Sequence, residues 1–367
     1  MTRADDACFM RVALSLGARG LGRTWPNPAV GCVLVREGRV IGRGWTQPGG
    51  QPHGEIVALR QAGCAARGAT LYAGLEPCAH HGRSPPCAEA LIEAGVARVV
   101  SALEDPDPRV AGRGHAMLRD AGLDLTIGVL GAEAAHMHRG FLMRLTHGRP
   151  MVTLKLATSF DGRIATASGE SRWITGAQAR RHVHAERARH DAVMIGAGTA
   201  RADDPSLTVR GLGIAHQPVR VVVARGLELP ETGRLAASAA QAPLWLVHDP
   251  GATDPARAEG WARRGARLLP VAGDSAGRLD PRAVLAALGA EGLTRIFCEG
   301  GGALAASLLG AGCVEELIGF TAGCVLGAEG QPAIGPVAMD RLADAPRFEL
   351  REALPLGGDV LQRWSRA

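Results

Sequence analysis

The sequence predicts an α/β protein of two domains, and three observations carry that expectation. The chain has 367 residues, more than one ordinary hydrophobic core sustains. Short β-branched runs alternate with segments of helical apolar spacing along almost its whole length, the pattern of sheets covered by helices. Near the middle, Gly148-Arg149-Pro150 interrupts the alternation, because proline stops a helix and holds the preceding residue extended. One domain is therefore expected over 1–147 and a second over 148–367.

In the first domain, residues 5–17 set Phe9, Val12, Ala13 and Leu16 at helical spacing. Pro26 and Pro28 stiffen a loop that presents Asn27 just ahead of a strand at 32–36. A second strand at 40–44 makes a hairpin turning at Glu37-Gly38. Asn27 is either a turn residue or a contact to a pyrimidine. Residues 51–66 read as a helix carrying His53, Glu55 and Val57 in its first turns. After a strand at 70–73, Leu75-Glu76-Pro77-Cys78 is expected to turn into a helix that continues over 88–95. Its dipole would favour the Cys78 thiolate. A strand at 98–103, a stiff Asp105-Pro106-Asp107-Pro108 turn, a helix at 112–121 and a strand at 125–129 follow. His136, His138 and His147 fall in a segment read as a solvated helix end and linker rather than a metal site.

The stretch from His53 to Cys87 concentrates the chemistry. One imidazole and two thiolates, His53, Cys78 and Cys87, can hold Zn²⁺ and leave a fourth position for water. Glu55 is two residues from the histidine and free to move protons for that water. A His/Cys/Cys set with a non-ligand Glu is the pattern of zinc-dependent base deaminases, H-x-E followed by P-C-x-x-C. Here nine positions, not three, separate the two cysteines. Other readings of these residues remain open: a disulfide, buried thiols, or a structural zinc site closed by His80 or His81.

The second domain opens with a strand at 151–157, a tight loop from Thr158 to Ile164, and a helix at 177–189. A buried strand at 191–198 ends in glycines and leads into a short helix near Thr199. Further strands are expected at 219–224, 243–248 and 267–271, a helix at 281–291, and a strand at 295–299. Gly300-Gly301-Gly302 then opens a helix at 303–309. A strand–glycine–helix unit offers free amides and a positive dipole to a phosphate, although G-x-G-x-x-G is absent. Past Pro332 the signal fades to two closing strands at 348–352 and 359–364.

Composition narrows the function classes. The net charge of +5 mildly favours anionic ligands, but arginine is scattered and no basic run marks a nucleic-acid footprint. Aromatic residues make up only 4%, too few for base-stacking platforms. Eight cysteines in this length argue against a disulfide framework. No apolar run approaches a membrane span and the acidic N-terminus lacks a signal-peptide core, so a cytoplasmic location is expected.

Three motifs together resemble the bifunctional riboflavin-biosynthesis deaminase–reductase family: Pro26-Asn27-Pro28-Ala29-Val30-Gly31, His53-Gly54-Glu55, and Glu76-Pro77-Cys78-Ala79-His80-His81-Gly82-Arg83-Ser84-Pro85-Pro86-Cys87. That family has a long loop between its zinc cysteines, which accounts for the spacing; Gly54 stands where it commonly has Ala. The string from Lys155 to Arg210 and Glu299-Gly300-Gly301-Gly302 resemble the family's reductase half, so the likeness covers nearly the whole chain.

The resemblance implies a cytidine-deaminase-like α/β/α sandwich followed by a dihydrofolate-reductase-like α/β domain. It implies His53, Cys78 and Cys87 as zinc ligands and Glu55 as proton shuttle, with His80, His81 and Arg83 near the substrate. Ala157, Trp173, Thr199, Asp203 and the run Gly301, Gly302, Ala303, Leu304, Ala305, Ala306, Ser307 would hold NADPH. Asn27, Ser171, Arg187, Leu207, Arg210 and Glu299 would hold the phosphorylated pyrimidine substrates, Arg187 and Arg210 as phosphate forks. Lys155 or Asp161 would assist proton delivery. A homo-oligomer, dimer or tetramer, is expected, with no nucleic-acid or membrane partner. The rival readings are a nucleic-acid deaminase, a C-terminal half that only binds a phosphate ligand, and a redox-structural zinc protein.

Overall fold

The computed structural model describes residues 3–81 and 85–366. The chain divides into two compact units, Met1–Gly148 and Arg149–Ala367.

In the first unit the order is α1 (Arg3–Gly17), β1 (Gly31–Arg36), β2 (Arg39–Trp45), α2 (Gly54–Ala62), β3 (Thr70–Ala73), α3 (Cys87–Glu93), β4 (Arg98–Ser101), α4 (Arg113–Asp120), β5 (Asp124–Ile127) and α5 (Gly131–His147). The five strands form one sheet in the order β2-β1-β3-β4-β5. β1 pairs antiparallel with β2 and β3, and β3, β4 and β5 run parallel. Alternation along β1 sorts two cores. Cys32 and Leu34 face a cluster with Ala58 of α2, Leu91 of α3 and Leu118 of α4. Val33 and Val35 face Met10 and Ala13 of α1 and Ala134 of α5. The result is a three-layer α/β/α arrangement.

Three expectations change here. The helix after Pro52 starts at Gly54, so His53 is its extended N-cap rather than a residue of its first turn. No helix follows Cys78; the next one starts at Cys87, capped by Pro86. Pro77 and Pro86 help explain this, since each removes an amide donor and disfavours a helical predecessor. The segment read as a linker belongs to the 17-residue α5, where His138 is buried, not solvated.

The second unit contains β6 (Met151–Thr158), β7 (Arg163–Ala165), α6 (Ala177–Ala188), β8 (Ala192–Gly196), α7 (Ala197–Asp203), β9 (Val219–Val223), α8 (Arg234–Ala237), β10 (Leu244–His248), α9 (Pro255–Arg263), β11 (Arg267–Pro270), α10 (Pro281–Ala290), β12 (Arg295–Cys298), α11 (Gly302–Gly310), β13 (Glu316–Ala322), β14 (Gln331–Pro332), β15 (Phe348–Leu356) and β16 (Asp359–Arg366). Its main sheet has nine strands in the order β11-β10-β9-β8-β12-β6-β13-β16-β15. The strands from β11 to β13 are parallel, and β13, β16 and β15 are antiparallel. Sequence reasoning missed β7, where it expected a loop to Ile164, and β14, α8, α9 and β13. The last sits between β6 and β16; Gly319 interrupts its apolar run, and Ile318 and Thr321 are its only β-branched residues.

Candidate functional site

The first unit gathers His53, Cys78 and Cys87, whose ligand atoms lie within 4.8 Å of one another. His53 Nδ1 is 3.3 Å from Cys87 Sγ and 3.5 Å from Cys78 Sγ. With Zn–N of about 2.1 Å and Zn–S of about 2.3 Å, a tetrahedral zinc site has N···S edges of about 3.6 Å. The three residues therefore fit zinc. The other ring nitrogen, Nε2, meets the Gln51 carboxamide at 3.0 Å. The Gln51 atom facing Nε2 is the amide nitrogen; with Nδ1 on a metal, the amide turned over would present its oxygen to the Nε2 proton and fix ring and tautomer.

The sequence builds this convergence from two turns and a cap. The extended conformation of His53 swings the imidazole out ahead of α2. Cys87 is the first residue of α3, and its backbone N–H donates to Cys78 Sγ at 3.3 Å. The helix dipole thus does favour the Cys78 thiolate, but the helix is α3 rather than one starting at Cys78. The Cys78 thiol is drawn far below the ordinary thiol range, first by its hydrogen bond with Cys87 and then by His53, against burial. Glu55 is buried, and its Oε2 has no hydrogen-bond partner among the described residues. Burial pushes its carboxyl up, opposed by the charge of His53. A buried carboxylate with an idle oxygen is equipped to take and return a proton.

Around this centre the expected contacts divide. Asn27 Nδ2 donates to Gly50 O at 3.0 Å, tying its loop to the stretch that leads into His53. His80 is half-buried with Nδ1 unpartnered among the described residues. His81 is exposed and 3.5 Å from Glu89. Arg83 lies outside the described residues. Asp105 was read only as part of a stiff turn; it is buried, and burial pushes its carboxyl up to about 6.

The second unit gathers Arg187, Glu299, Lys155 and Asp203. Arg187 and Glu299 form a two-pronged pair, and the third Arg187 donor goes to Thr208 O at 2.9 Å. The fork expected to grip phosphate is therefore spent, because a buried Arg must satisfy its donors locally. Arg210 is exposed, and its backbone N–H donates to His184 Nδ1 at 3.2 Å. His184 was not singled out, although it shares a face of α6 with Arg187 three residues on. Leu207 has a core side chain and φ of 56°, so it can offer a ligand only its backbone. Lys155 is held below the ordinary lysine range by burial, opposed by Glu299.

The glycine run forms the cradle it promised only at its start. Gly301 caps α11, and its N–H donates to Thr199 Oγ1 at 2.9 Å. A Cβ on Gly302 would come within 2.8 Å of Pro332 O and 3.1 Å of Gly335 N, so only glycine allows this approach. The first-turn amides of Gly302, Ala303 and Leu304 have no partner within the helix and could meet a dinucleotide phosphate. Ala305 and Ala306 instead face the core and Ser307 faces away from it, so the seven residues are not one surface. Ser171 and Trp173 share a loop tied to Asp203 by Arg172, which donates to Asp203 O at 2.8 Å. Trp173 is exposed, with the Arg180 guanidinium 4.5 Å over its ring. Ala157 is two residues beyond Lys155 on β6, hence on the same face.

Residues 3–103 match the cytidine and deoxycytidylate deaminase zinc-binding region, and residues 150–362 match the RibD C-terminal domain. The chain belongs to the RibD family. The riboflavin biosynthesis protein RibD of Escherichia coli (strain K12) is 42% identical over 362 residues, covering 97% of this chain and 98% of its own. RibD of Haemophilus influenzae is 41% identical over 369 residues, covering 97% and 96%. The solved structure of Acinetobacter baumannii RibD is 38% identical, covers 100% of both chains and superposes with a TM-score of 0.89. As a RibD family member the chain is a bifunctional enzyme of riboflavin biosynthesis, a zinc-binding deaminase followed by an NADPH-dependent reductase. Among the described residues no helix is long and apolar enough to cross a membrane.

Proposed function

We propose that His53, Cys78 and Cys87 hold zinc beside Glu55, and that this centre deaminates 2,5-diamino-6-ribosylamino-4(3H)-pyrimidinone 5′-phosphate. The second unit then reduces the ribosyl side chain with NADPH, giving 5-amino-6-ribitylamino-uracil 5′-phosphate. The observation that carries the reading is the pair of N···S edges at 3.3 and 3.5 Å beside a buried carboxylate with an idle oxygen.

When bound, zinc supplies a water acidified to about neutral pKa. Glu55 would take one proton of that water and pass it to the ring nitrogen as the C–O bond forms, then take the second from the new hydroxyl and pass it to the amine as the C–N bond breaks, so water enters and ammonia leaves. Asn27 and the His80 loop orient the pyrimidine. In the reductase site NADPH supplies a hydride. The first turn of α11 binds the dinucleotide phosphate, with Thr199 holding Gly301 in place. Arg210, whose guanidinium is exposed, takes the substrate phosphate, while Arg187 positions Glu299. Lys155 is a better proton source for the opening sugar than Asp161, whose carboxylate already accepts from Ser159 and the amides of Leu326 and Gly327.

We place the enzyme in the cytoplasm as a homo-oligomer, dimer or tetramer. The nine-residue edge strand β15, with Leu350 exposed, supports self-association. The test is a paired assay on zinc-loaded protein with the diamino substrate, following ammonia release and NADPH oxidation together. Wild type should do both, and Glu55→Gln should oxidise NADPH only when given the deaminated intermediate. NADPH that stays unoxidised even with supplied intermediate removes the reductase assignment.

A further inference from the structure

Two residues before Cys78, the Glu76 side chain is fully buried. Its Oε2 accepts from the amides of Asp105 at 3.1 Å and Gly112 at 3.0 Å, and its Oε1 from the amide of His115 at 3.0 Å. Gly112 is the N-cap of α4 and brings no side-chain cap of its own. His115 is the third residue of that helix, the position whose amide a capping side chain ordinarily satisfies. Glu76 thus caps α4 from a distant part of the chain, and its negative charge sits at the positive end of the helix.

A second contact locks the same two segments. Gly114, on the first turn of α4, packs against the Pro77 carbonyl so closely that a Cβ there would collide with it. The turn Glu76-Pro77-Cys78 is therefore held through a side chain on one side of the proline and a backbone contact at it. The segment held in return carries Asp105 and Asp107, both buried. Glu76, Glu104 and His115 also offer ligand atoms within 4.8 Å of one another. Three amides already compensate the Glu76 carboxylate, however, which speaks for a clamp rather than a second metal site.

We infer that Glu76 is a positioning residue for the deaminase reaction, fixing the Cys78 ligand turn and the Asp105-to-Gly112 loop in one frame through α4. This rests on the reading of His53, Cys78 and Cys87 as the zinc ligands. Groups that orient metal ligands from behind typically change metal affinity or activity by about 10- to 100-fold when replaced.

The test uses the full chain, loaded with zinc for kinetics and with Co²⁺ for spectroscopy. In Glu76→Gln, kcat for ammonia release should fall about 10- to 100-fold, and the thiolate-to-cobalt absorption should shift. NADPH oxidation with supplied deaminated intermediate should stay at the wild-type rate. Gly114→Ala, acting from the α4 side, should shift the cobalt spectrum as well. If Glu76→Gln lowers only the thermal midpoint and leaves kcat and the cobalt spectrum at wild-type values, Glu76 is a structural staple and the inference is overturned. If Glu76→Gln does not fold, Glu76→Asp, which keeps the charge but cannot span all three amides, takes its place with the same two outcomes. Should wild type release no ammonia, the deaminase reading fails, yet the cobalt spectra still decide whether Glu76 sets the Cys78 geometry.

Discussion

In the first unit, three side chains, His53, Cys78 and Cys87, bring their ligand atoms to one point while Glu55 Oε2 has no hydrogen-bond partner among the described residues. In the second unit, the charged groups satisfy one another: Arg187 grips Glu299, and Lys155 is half-buried beside that pair. The binding surface proposed there is backbone, the first turn of α11 with Gly301 held by Thr199. The contrast follows from the ligands. A metal ion must be met by lone pairs left open for it, whereas a dinucleotide phosphate is met by amides that any sequence carries and that geometry alone exposes. A metal centre is therefore written in residue types, and a cofactor cradle mostly in the path of the chain.

The contrast breaks most sharply at Glu55. Replacing it with Gln keeps the ligand set and removes the proton carrier. Ammonia release should fall by about 10²- to 10⁴-fold while zinc content, measured by metal analysis, stays at the wild-type level. Cys87→Ala should lose zinc together with activity. If Glu55→Gln retains full deaminase activity, the idle oxygen has no catalytic part.

The next largest effect belongs to the self-compensating pair. Arg187→Met strands the Glu299 carboxylate in a buried site and should destabilise the second unit by about 3–5 kcal/mol. Adding Glu299→Gln should restore part of that loss, as read from denaturation midpoints. An Arg187→Met protein as stable as wild type would mean that the pair is solvated, and the contrast with the first unit would fade.

These two experiments also show why the halves were unequally legible. His53, Glu55, Cys78 and Cys87 could be read from residue type, because few other roles use that set. The helix expected at Cys78 failed because Pro77 and Pro86 help delay it to Cys87, yet the thiolate still meets a helix N-terminus through space. In the second unit the β-branched strands and the Asp-capped helices α9 and α10 obey local rules, although α9 was overlooked. Arg187 looked like a phosphate fork because the sequence does not display Glu299 across 112 positions. Glu76 looked like part of a motif, and its three amide partners lie 29 to 39 residues away.

A third effect is a pH dependence specific to the second unit. His190 is buried, its Nδ1–H donating to Glu186 O at 2.7 Å and its Nε2 3.1 Å from Thr153 Oγ1, and burial first, then Arg295, pulls its pKa down to about 4. The unfolded chain takes that proton near 6.5, while the folded chain resists until about 4. The unfolded state thus binds more protons in that window, so stability is whole above it and falls as pH drops through it. The loss amounts to about 3 kcal/mol. Hydrogen exchange of β6 and β8 amides at about pH 7.5 and about pH 5 should show the decline, and His190→Gln should flatten it. An equal decline in the variant would assign the effect to other groups.

The smallest effect tests whether the reductase cradle really is backbone held in place by one hydroxyl. Thr199→Val keeps the shape of the side chain and deletes the acceptor for the Gly301 amide. One hydrogen bond is worth about 0.5–1.5 kcal/mol net, so KM for NADPH should rise roughly 2- to 10-fold, with kcat for supplied intermediate nearly unchanged. That split is the informative part. Loosening the cap of α11 weakens the grip on phosphate without moving the group that delivers the proton. A fall in kcat with KM unchanged would instead place Thr199 at the reacting end of the site, and the second unit would then resemble the first, with its chemistry carried by side chains.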